Sequence, residues 1–443
     1  MRTKAEISNH DWFGNLPKGW EMRPLKSIFT FSKGLNITKN DLTETGNSVI
    51  SYGQIHSKDY FGTGIVDNII RYVPDEIVEK GDSSLVAKGG FVFADTSEDL
   101  AGVGNCAYNN LEKTIYGGYH TIVLNPLYET DNKFLAYQFR TDAWRHQLRR
   151  QLVDVKLFSV NQRILSEAYV VLPPADVRRS IVSFLDARCD PIDQAITRHR
   201  QAIDKLEEYR RAVITKTVTK GLDPGVPMKD SGVDWIGMIP SSWDARRIKF
   251  VARLSSGGTP SREHPEYWEG NIPWVKTGEL KDGLVLETEE HITDLGLSYS
   301  SAKLFPKGTL LMAMYGQGKT RGTTGCLGID AAINQACVAF TLISNIHKTY
   351  LWMVLRAIYD PIREAAVGSG QPNLSIKLIS NFYIPLPSYK EQIEIASYLE
   401  HQYVAIDEAI ARQNKLIEKL EEYRRSLIHA AVTGRIDCTK ESL

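Results

Sequence analysis

The sequence predicts an α+β protein built as a pseudo-two-fold tandem repeat, in which two globular domains are joined by two long antiparallel coiled-coil helices. The first observation is that KLEEYRR occurs twice, at Lys205–Arg211 and at Lys419–Arg425. The second is that DWFGNLPKGW, from Asp11, returns as DWIGMIPSSW from Asp234. Repetition over such distances indicates two copies of one structural unit.

A third matching pair of segments fixes where each copy ends. YVVLPPADVRRSIVSFLD, from Tyr169, corresponds to YIPLPSYKEQIEIASYLE, from Tyr383. The repeat therefore divides the chain into a first globular domain, a first helix, a linker with a second globular domain, and a second helix. The predicted boundaries are 1–172, 173–220, 221–386 and 387–443.

The globular parts contain short segments rich in β-branched and aromatic residues, bounded by Gly, Asn or Pro, which are typical of strands. A helix is expected near the end of each domain, at Asp131–Gln151 and at Ile346–Ala366. The predicted strands are Ser48–Ile55, Gly90–Ala94, His120–Leu124, Ile272–Val275, Thr309–Met314 and Ala336–Leu342.

The two helical parts have apolar residues at alternating spacings of three and four, the heptad pattern of a coiled coil. Ser388 and Glu391 form a predicted capping box at the start of the second helix. The heptad positions include polar residues at equivalent places, His199 with Gln413 and Arg210 with Arg424. Polar residues at such positions commonly fix the register of the pair.

The linker, GLDPGVPMKDSGVDWIGMIP, favours an antiparallel arrangement of the helices. A helix of about 44 residues spans roughly 66 Å, and about 20 extended residues reach no farther than this. A parallel pair would need the linker to retrace the whole helix.

Composition restricts the function further. The chain has 53 basic and 53 acidic residues, so any nucleic-acid surface must be a local one. No apolar run approaches the roughly 20 residues of a membrane span, and we expect a cytoplasmic protein. Five scattered cysteines form no CxxC pair, and no histidine pattern indicates a metal site.

These marks resemble the specificity subunits of type I restriction-modification systems. They are the LPxGW-like motifs at Leu16–Trp20 and Ile239–Trp243, the linker, the starts of both helices and the repeated KLEEYRR. The resemblance covers about Asp11 to Asp437. It implies two target-recognition domains that each read one half of an asymmetric bipartite site in double-stranded DNA, and helices that set the gap between the halves.

The same resemblance implies a chain without catalysis or cofactors. Two methyltransferase subunits, with S-adenosylmethionine, would dock on the helices, and motor–nuclease subunits that use ATP and Mg would complete the complex. The residues agree with a non-catalytic role. GQGKT at 316–320 lacks the first glycine of a phosphate-binding loop, because Ala313 stands there, and Asn125-Pro126-Leu127-Tyr128 departs from the adenine methyltransferase motif.

Candidate DNA contacts in the second domain lie in loops rich in hydrogen-bonding side chains, which are the groups that read base edges. Comparable loops carry DNA contacts in the family, although each stretch is also typical of a solvated turn. The candidates are Lys276, Thr277, Tyr315, Gln317, Lys319, Thr320, Arg321, Gln371 and Asn373.

The first domain aligns less well. Tyr52-Gly53-Gln54 is matched to Lys276-Thr277-Gly278, and Tyr119-His120 to Asn334-Gln335, while the acidic loop Asp95–Asp99 replaces the basic GQGKTR. The basic helix end RTDAWRHQLRR, Arg140–Arg150, together with Lys156, is either a candidate phosphate-positioning patch or a solvated helix face. The candidates here are Tyr52, Gln54, Tyr119, His120, Arg149, Arg150 and Lys156.

Arg210 and Arg424, with their neighbours Arg211 and Arg425, are predicted to mark the subunit interface, because both repeats place them identically. The spacer bounds the separation of half-site centres at about 19 base pairs, and reading from one face favours about 10. Three alternatives remain open. They are a specificity subunit of a fused methyltransferase–nuclease system, a coiled-coil adaptor that binds proteins rather than DNA, and a nucleotide-binding protein that uses GQGKT.

Overall fold

A computed structural model of the chain describes residues 13, 16–58, 60–79, 82–128, 132–152, 157–316, 318–343, 345–368 and 373–440. The chain forms two compact units. Unit 1 comprises Met1–Gln201 with Gln413–Leu443, and unit 2 comprises Ala202–Arg412. Each unit therefore combines one globular domain with a segment of each long helix.

The globular part of unit 1 contains a four-stranded antiparallel sheet, a three-stranded sheet and a two-stranded ribbon. Phe91 and Phe93, on a central strand of the larger sheet, are fully buried against Phe139 and help to form an aromatic core. In order across each sheet, the larger sheet is Phe29–Lys33, Thr121–Pro126, Phe91–Ala94 and Cys106–Tyr108, and the smaller is Arg71–Val73, Asn47–Ile50 and Ile115–Gly117. The ribbon pairs Glu21–Pro24 with Tyr169–Leu172.

Unit 2 has the same plan, but each of its two main sheets has one strand more. Its sheets have five and four strands, and a ribbon again joins the start of the domain to its end. The larger sheet is Ala252–Ser256, Cys337–Leu342, Leu310–Ala313, Thr324–Leu327 and Leu284–Val285, the smaller is Glu290–Ile292, Trp268–Val275, Ala331–Ile333 and Leu304–Phe305, and the ribbon is Asp244–Arg247 with Tyr383–Leu386.

The helices differ greatly in length. The two long helices are Ala175–Lys220 and Tyr389–Val432, with 46 and 44 residues. The α+β class predicted from the sequence is confirmed. The short helices are Tyr52–Ile55, Asp75–Val78, Lys133–Gln138, Asp142–Arg149, Gln162–Glu167, Asp294–Ser298, Lys348–Ala357, Tyr359–Gly368 and Ile376–Asn381.

In unit 1 the segments of the two long helices contact each other through polar heptad positions. His199 Nδ1 lies 2.5 Å from Gln413 Oε1. Arg424 donates to both carboxylate oxygens of Asp193, at 2.6 and 3.0 Å, and both side chains are buried. The residue numbers of the contacts increase along one helix as they decrease along the other, so these segments run antiparallel.

The corresponding ion pair in unit 2 joins Arg210 to Asp407 at 2.7 Å, and it is more exposed. Arg210 also lies over the ring of Tyr403, 5.5 Å from its centroid. Arg210 and Asp407 are the repeat equivalents of Arg424 and Asp193. The duplication has therefore kept the same ion pair twice.

The capping box predicted at the second long helix is present. Ser388 donates through its backbone N and its Oγ to Glu391 Oε2, at 3.0 and 2.7 Å, and Glu391 N donates to Ser388 Oγ at 3.3 Å. Glu391 also accepts from the indole of Trp243 at 3.0 Å.

The repeated amino-terminal motif packs on the end of a long helix in each unit. Gly434, with φ 71°, lies so close to Pro17 and Trp20 that a Cβ there would stand 2.5 Å from Pro17 Cγ. Gly221, with φ 73°, faces Trp243 in the same way at 3.2 Å. Both glycines end their helix in the left-handed conformation that favours glycine.

Several predicted elements are shorter or more broken than expected. The strand expected over Ser48–Ile55 ends at Ile50, because Ser51 and Gln54 form a capping box and start a helix at Tyr52. The helix expected over Asp131–Gln151 is two helices, since the Thr141 hydroxyl accepts from Trp144 N and caps a second one. The linker contains a small ribbon, Met228–Asp230 with Met238–Pro240.

Candidate nucleic-acid interface

In unit 2 backbone hydrogen bonds bring the candidate loops of the second domain to one edge of the sheets. Asn334 N donates to Val275 O at 2.9 Å, which sets the loop at 334–336 beside Lys276. Met314 N donates to Ala336 O at 2.7 Å, and Leu374 N donates to Met314 O at 3.0 Å. The loops that begin at Lys276, Asn334 and Tyr315, and the residue Asn373, therefore emerge together.

Unit 1 repeats this pattern bond for bond. Gly118 N donates to Ile50 O at 2.7 Å, and Asp95 N donates to His120 O at 3.1 Å. Val160 N donates to Asp95 O at 2.8 Å, in the place of the Leu374 bond. The candidate residues Tyr52, Tyr119 and His120 therefore occupy the corresponding edge.

These bonds correct the alignment of the two domains by one residue. Ser51, not Tyr52, corresponds to Lys276, because each backbone N–H is bonded by the side chain three residues later, Gln54 or Glu279. Tyr52 then corresponds to Thr277, and Tyr119 to Gln335. The sequence match failed here because the flanking residues share no side-chain chemistry.

An aromatic cluster occupies the edge of unit 1. The ring of Tyr52 lies 6.0 Å from that of Tyr119 and 5.6 Å from that of His120, centroid to centroid. His120 adopts a left-handed φ of 52°, and its Nδ1 lies 3.0 Å from Asp95 Oδ1. The cluster offers flat ring faces, an imidazole and a carboxylate to a ligand at this edge.

At the corresponding edge of unit 2 the side chains are polar. Lys276 Nζ donates to Glu289 at 2.8 Å and to Glu290 at 3.1 Å, and the hydrogen bond to Glu289 is the largest effect that raises the pKa of Lys276. Lys276, Thr277, Asn334 and Gln335 line one cavity of about 520 Å³. Within the described residues, the buried Asn334 Oδ1 has no hydrogen-bond partner.

The loop from Tyr315 to Arg321 is held from below by one helix. Arg363 donates to Arg321 O at 2.7 Å and to Gly318 O at 3.0 Å, and Tyr359 donates to Lys319 O at 2.7 Å. The loop connects antiparallel strands Leu310–Ala313 and Thr324–Leu327. A phosphate-binding P-loop leads into a helix, so the geometry agrees with rejecting that interpretation.

The remaining candidates have mixed positions. Gln54 uses its Oε1 to cap a helix, and Arg149 forms an ion pair with Asp142 at 3.0 Å. Arg150 is exposed at the end of the same helix, and Lys319 and Asn373 are exposed in their loops, with Thr320 and Arg321 half-buried. Lys156, Gln317 and Gln371 lie outside the described residues.

The sequence analysis did not identify Tyr359 and Arg363, and it included Arg145 only as part of a basic helix end. Tyr359 and Arg363 support the loop through backbone carbonyls, and Arg145, only 7% exposed, reaches the cleft of unit 1 from inside a helix. A basic residue on a helix usually indicates a solvated face, so no pattern distinguished Arg363 or Arg145.

The predicted subunit-interface arginines divide into two kinds. Arg210 and Arg424 are engaged in the ion pairs with Asp407 and Asp193, whereas Arg211 and Arg425 are exposed. Tyr209 and Tyr423, the tyrosines of the two KLEEYRR segments, are exposed to similar extents, 54% and 56%. An exposed Tyr and Arg are thus presented twice.

Over the ranges that the structure describes, no group of three or more His, Cys, Asp or Glu side chains forms a possible metal site. All five cysteines are buried, and within the described residues none of them forms a disulfide. None of the helices in the described part of the chain has the length and apolar character of a membrane span.

Two similar α+β units, each presenting variable loops at one sheet edge, define a protein with two repeated recognition modules. The chain belongs to the family of type I restriction modification DNA specificity domains, whose model matches residues 17–208 and 240–422. Both copies of the repeat are matched. Members of this family are specificity subunits and are non-catalytic, in agreement with the predicted absence of catalysis.

Relatives in this family share the whole repeat or one half of it. The MjaVIII specificity subunit of Methanocaldococcus jannaschii is 21% identical over 95% of this chain and 94% of its own length. The MjaIX specificity subunit of the same organism is 28% identical, but the match spans only 42% of this chain and 43% of that one. The EcoR124I/EcoR124II specificity subunit of Escherichia coli is 29% identical over 46% of this chain and 50% of its own.

One solved structure has the same fold. It is a chain from a study of complex assembly and conformational transition of the type I R-M system, with a TM-score of 0.63 and 18% identity. The similarity covers 95% of this chain and 100% of that one.

Proposed function

We propose that this chain is the DNA-reading subunit of a type I restriction-modification complex and that its two domains read different halves of one bipartite target. The observation that carries the proposal is the family match to both copies of the repeat. The contrast between the edges supports different half-sites, because unit 1 presents the rings of Tyr52 and Tyr119 where unit 2 presents Thr277 and Gln335.

The candidate base contacts in this proposal are the side chains at those edges. In unit 2, amide and ammonium groups suit adenine and guanine respectively. In unit 1, Asp95 is an acceptor suited to the amino group of cytosine, and His120 can donate or accept. Arg149 and Arg150 are the candidates for phosphate contacts that position the domain without reading sequence.

We further propose that the two long helices form an antiparallel spacer that sets the gap between the half-sites. The contact between His199 and Gln413 supports it, because equivalent residues meet at one point when two copies of a helix pair antiparallel. A spacer of roughly 66 Å bounds the half-site separation at about 19 base pairs, and reading from one face favours about 10.

Methyltransferase subunits are the proposed partners of the helices, and motor–nuclease subunits would complete the complex. Exposed Tyr209 and Tyr423 support two equivalent docking sites, since exposed aromatic residues are enriched at protein interfaces. Arg211 and Arg425 are the exposed members of the predicted interface set. Those partners would bind S-adenosylmethionine, ATP and Mg, and the complex would bind its DNA in the cytoplasm.

The decisive experiment is single-molecule sequencing of methyladenine in DNA from a host that expresses the methyltransferase with and without this chain. A bipartite motif that appears only with the chain, with a gap inside the bound above, is the expected result. If a folded methyltransferase gives no chain-dependent motif, the proposal is wrong and the protein-binding adaptor becomes the better interpretation. A partner that carries methyltransferase and nuclease in one chain would instead identify the fused system.

A further inference from the structure

Unit 1 contains a cleft of about 1050 Å³ whose walls come from distant parts of the chain. One wall belongs to the first globular domain and includes the aromatic cluster of Tyr52, Tyr119 and His120. The other belongs to the second long helix and includes Arg424 and Arg425. We refer to this space as the unit 1 cleft.

Two arginines of the globular domain converge at its floor. Arg140 Nη1 and Arg145 Nη2 both donate to Asn105 Oδ1, at 3.4 and 2.7 Å. The other donors of Arg145 reach the backbone oxygens of Ala101 and Phe139, at 2.7 and 2.9 Å. Among the described residues, neither guanidinium has a carboxylate within ion-pair distance.

A third guanidinium, that of Arg424, stands nearby and is 6% exposed. Arg424 forms an ion pair with Asp193, whereas Arg140 and Arg145 form no ion pair with any described residue. Burial, reinforced by Arg140, lowers the pKa of Arg145 to about 9, and burial and Arg424 lower the pKa of Arg140. Buried charges are normally paired, so two guanidiniums without a carboxylate partner favour the approach of an anionic group to this floor.

The mouth of the cleft combines basic and acidic groups. Arg425 is exposed there, and so are Glu98 and Asp99. The carboxylates disfavour loose binding of any polyanion at the rim, whereas the guanidiniums favour an anion that reaches inside. The aromatic cluster lies on the wall formed by the globular domain, and it provides a flat surface in the same cleft as the arginines.

We propose that the unit 1 cleft binds a phosphate group of the DNA strand that carries the first half-site. Arg140 and Arg145 attract it from the floor and Arg425 contacts it from the second long helix. This inference rests on the proposed function. It adds that the carboxyl-terminal helix, which belongs to the second repeat, takes part in binding at the first domain.

The test uses the full chain in its complex with the methyltransferase and a mixed-sequence DNA duplex, with affinity measured over a series of salt concentrations. Each phosphate contact contributes about 0.9 to the slope of log affinity against log salt. Arg425→Gln and Arg140→Gln should each reduce the slope by about one. Arg163→Gln, an exposed arginine of unit 1 outside the cleft, is the matched control and should leave the slope unchanged.

Arg425 is exposed, so its variant should fold even if Arg140→Gln does not. An unchanged slope for folded Arg425→Gln would overturn the inference. If this variant also fails to retain the methyltransferase in a pull-down, Arg425 belongs to the subunit interface instead. Inorganic pyrophosphate should compete only weakly with the duplex. If pyrophosphate instead binds the complex tightly and DNA does not displace it, the ligand of the cleft is a free anion, and the inference is also overturned. If the wild-type complex shows no salt-dependent DNA binding, the proposed function itself fails.

Discussion

His199 and Gln413 occupy the same position in the two repeats, and their side chains meet at 2.5 Å between Nδ1 and Oε1. A polar contact at a heptad position fixes register, because shifting either helix by a turn would leave a polar group against apolar residues. The neighbouring ion pair of Arg424 with Asp193 acts in the same way. Register in this helix pair is therefore specified by polar contacts, not by apolar packing alone.

Arg424→Ala should destabilise the protein much more than Arg210→Ala, although the two arginines are repeat equivalents. The Arg424 and Asp193 side chains are 7% and 15% exposed, and removing one partner of a buried pair costs about 3–5 kcal/mol. The Arg210 and Asp407 side chains are 27% and 59% exposed, where such pairs contribute about 1 kcal/mol or less. Urea unfolding of both variants measures the difference, and equal losses would contradict it.

Glu391→Gln should remove a pH-dependent part of the stability. Partial burial opposes ionisation of Glu391, but hydrogen bonds from Ser388 and Trp243 lower its pKa overall. A carboxyl with a lowered folded pKa stabilises the protein above its unfolded pKa of about 4.3, and this contribution is lost as pH falls through the folded pKa. Thermal unfolding should therefore give a higher Tm for the wild type than for the variant at neutral pH, and the two Tm values should converge in acid.

Tyr359→Phe should weaken reading of the second half-site. It removes the hydroxyl that donates to Lys319 O and accepts from Arg363, and so it loosens the loop that carries Lys319 and Arg321. One hydrogen bond contributes about 1 kcal/mol, which corresponds to a loss of about fivefold to tenfold in affinity. Tyr299→Phe, in an exposed tyrosine of the same unit, is the control, and an equal loss in both variants would argue against a role for the loop.

Substitutions at the two sheet edges should alter one half-site each. Tyr52→Ala should relax the first half of the methylated motif, and Thr277→Ala the second, because these residues hold corresponding places in units 1 and 2. A lost base contact costs about 1–3 kcal/mol of discrimination. Sequencing of methyladenine provides the measurement, and each variant is the other's control. A change in the same half-site from both variants would refute the assignment.

Inserting four residues into both long helices should lengthen the gap and leave both half-sites unchanged. Four residues add about 6 Å to a helix, and this corresponds to about two base pairs. The methylated motif reports the new gap directly. An unchanged gap in a complex that still methylates would show that the helices do not set the spacing.

Much of the fold was readable from the sequence because its signals are periodic or repeated. The capping box of Ser388 and Glu391 was predicted from two residues and is present. The heptad pattern located both long helices, and Leu185, Ile196 and Leu399 are fully buried. Long-period signals of this kind accumulate over many residues.

Local signals were less informative where one capping side chain decides the structure. Ser51 and Gln54 end a β-rich stretch and start a helix, and Thr141 divides what reads as a single amphipathic helix. The convergence of Arg140 and Arg145 on Asn105 could not be predicted either, since it depends on how this region packs on a residue more than thirty positions earlier in the chain. Such contacts follow from the tertiary structure and leave no periodic trace.

The composition of unit 1 affects how the protein is made. Asp193, which emerges early from the ribosome, obtains its buried partner only when Arg424, near the carboxyl terminus, has been synthesised. Until then the first domain lacks the helix that completes its cleft. A truncated translation product would therefore expose an unpaired carboxylate and the apolar heptad residues of the first long helix.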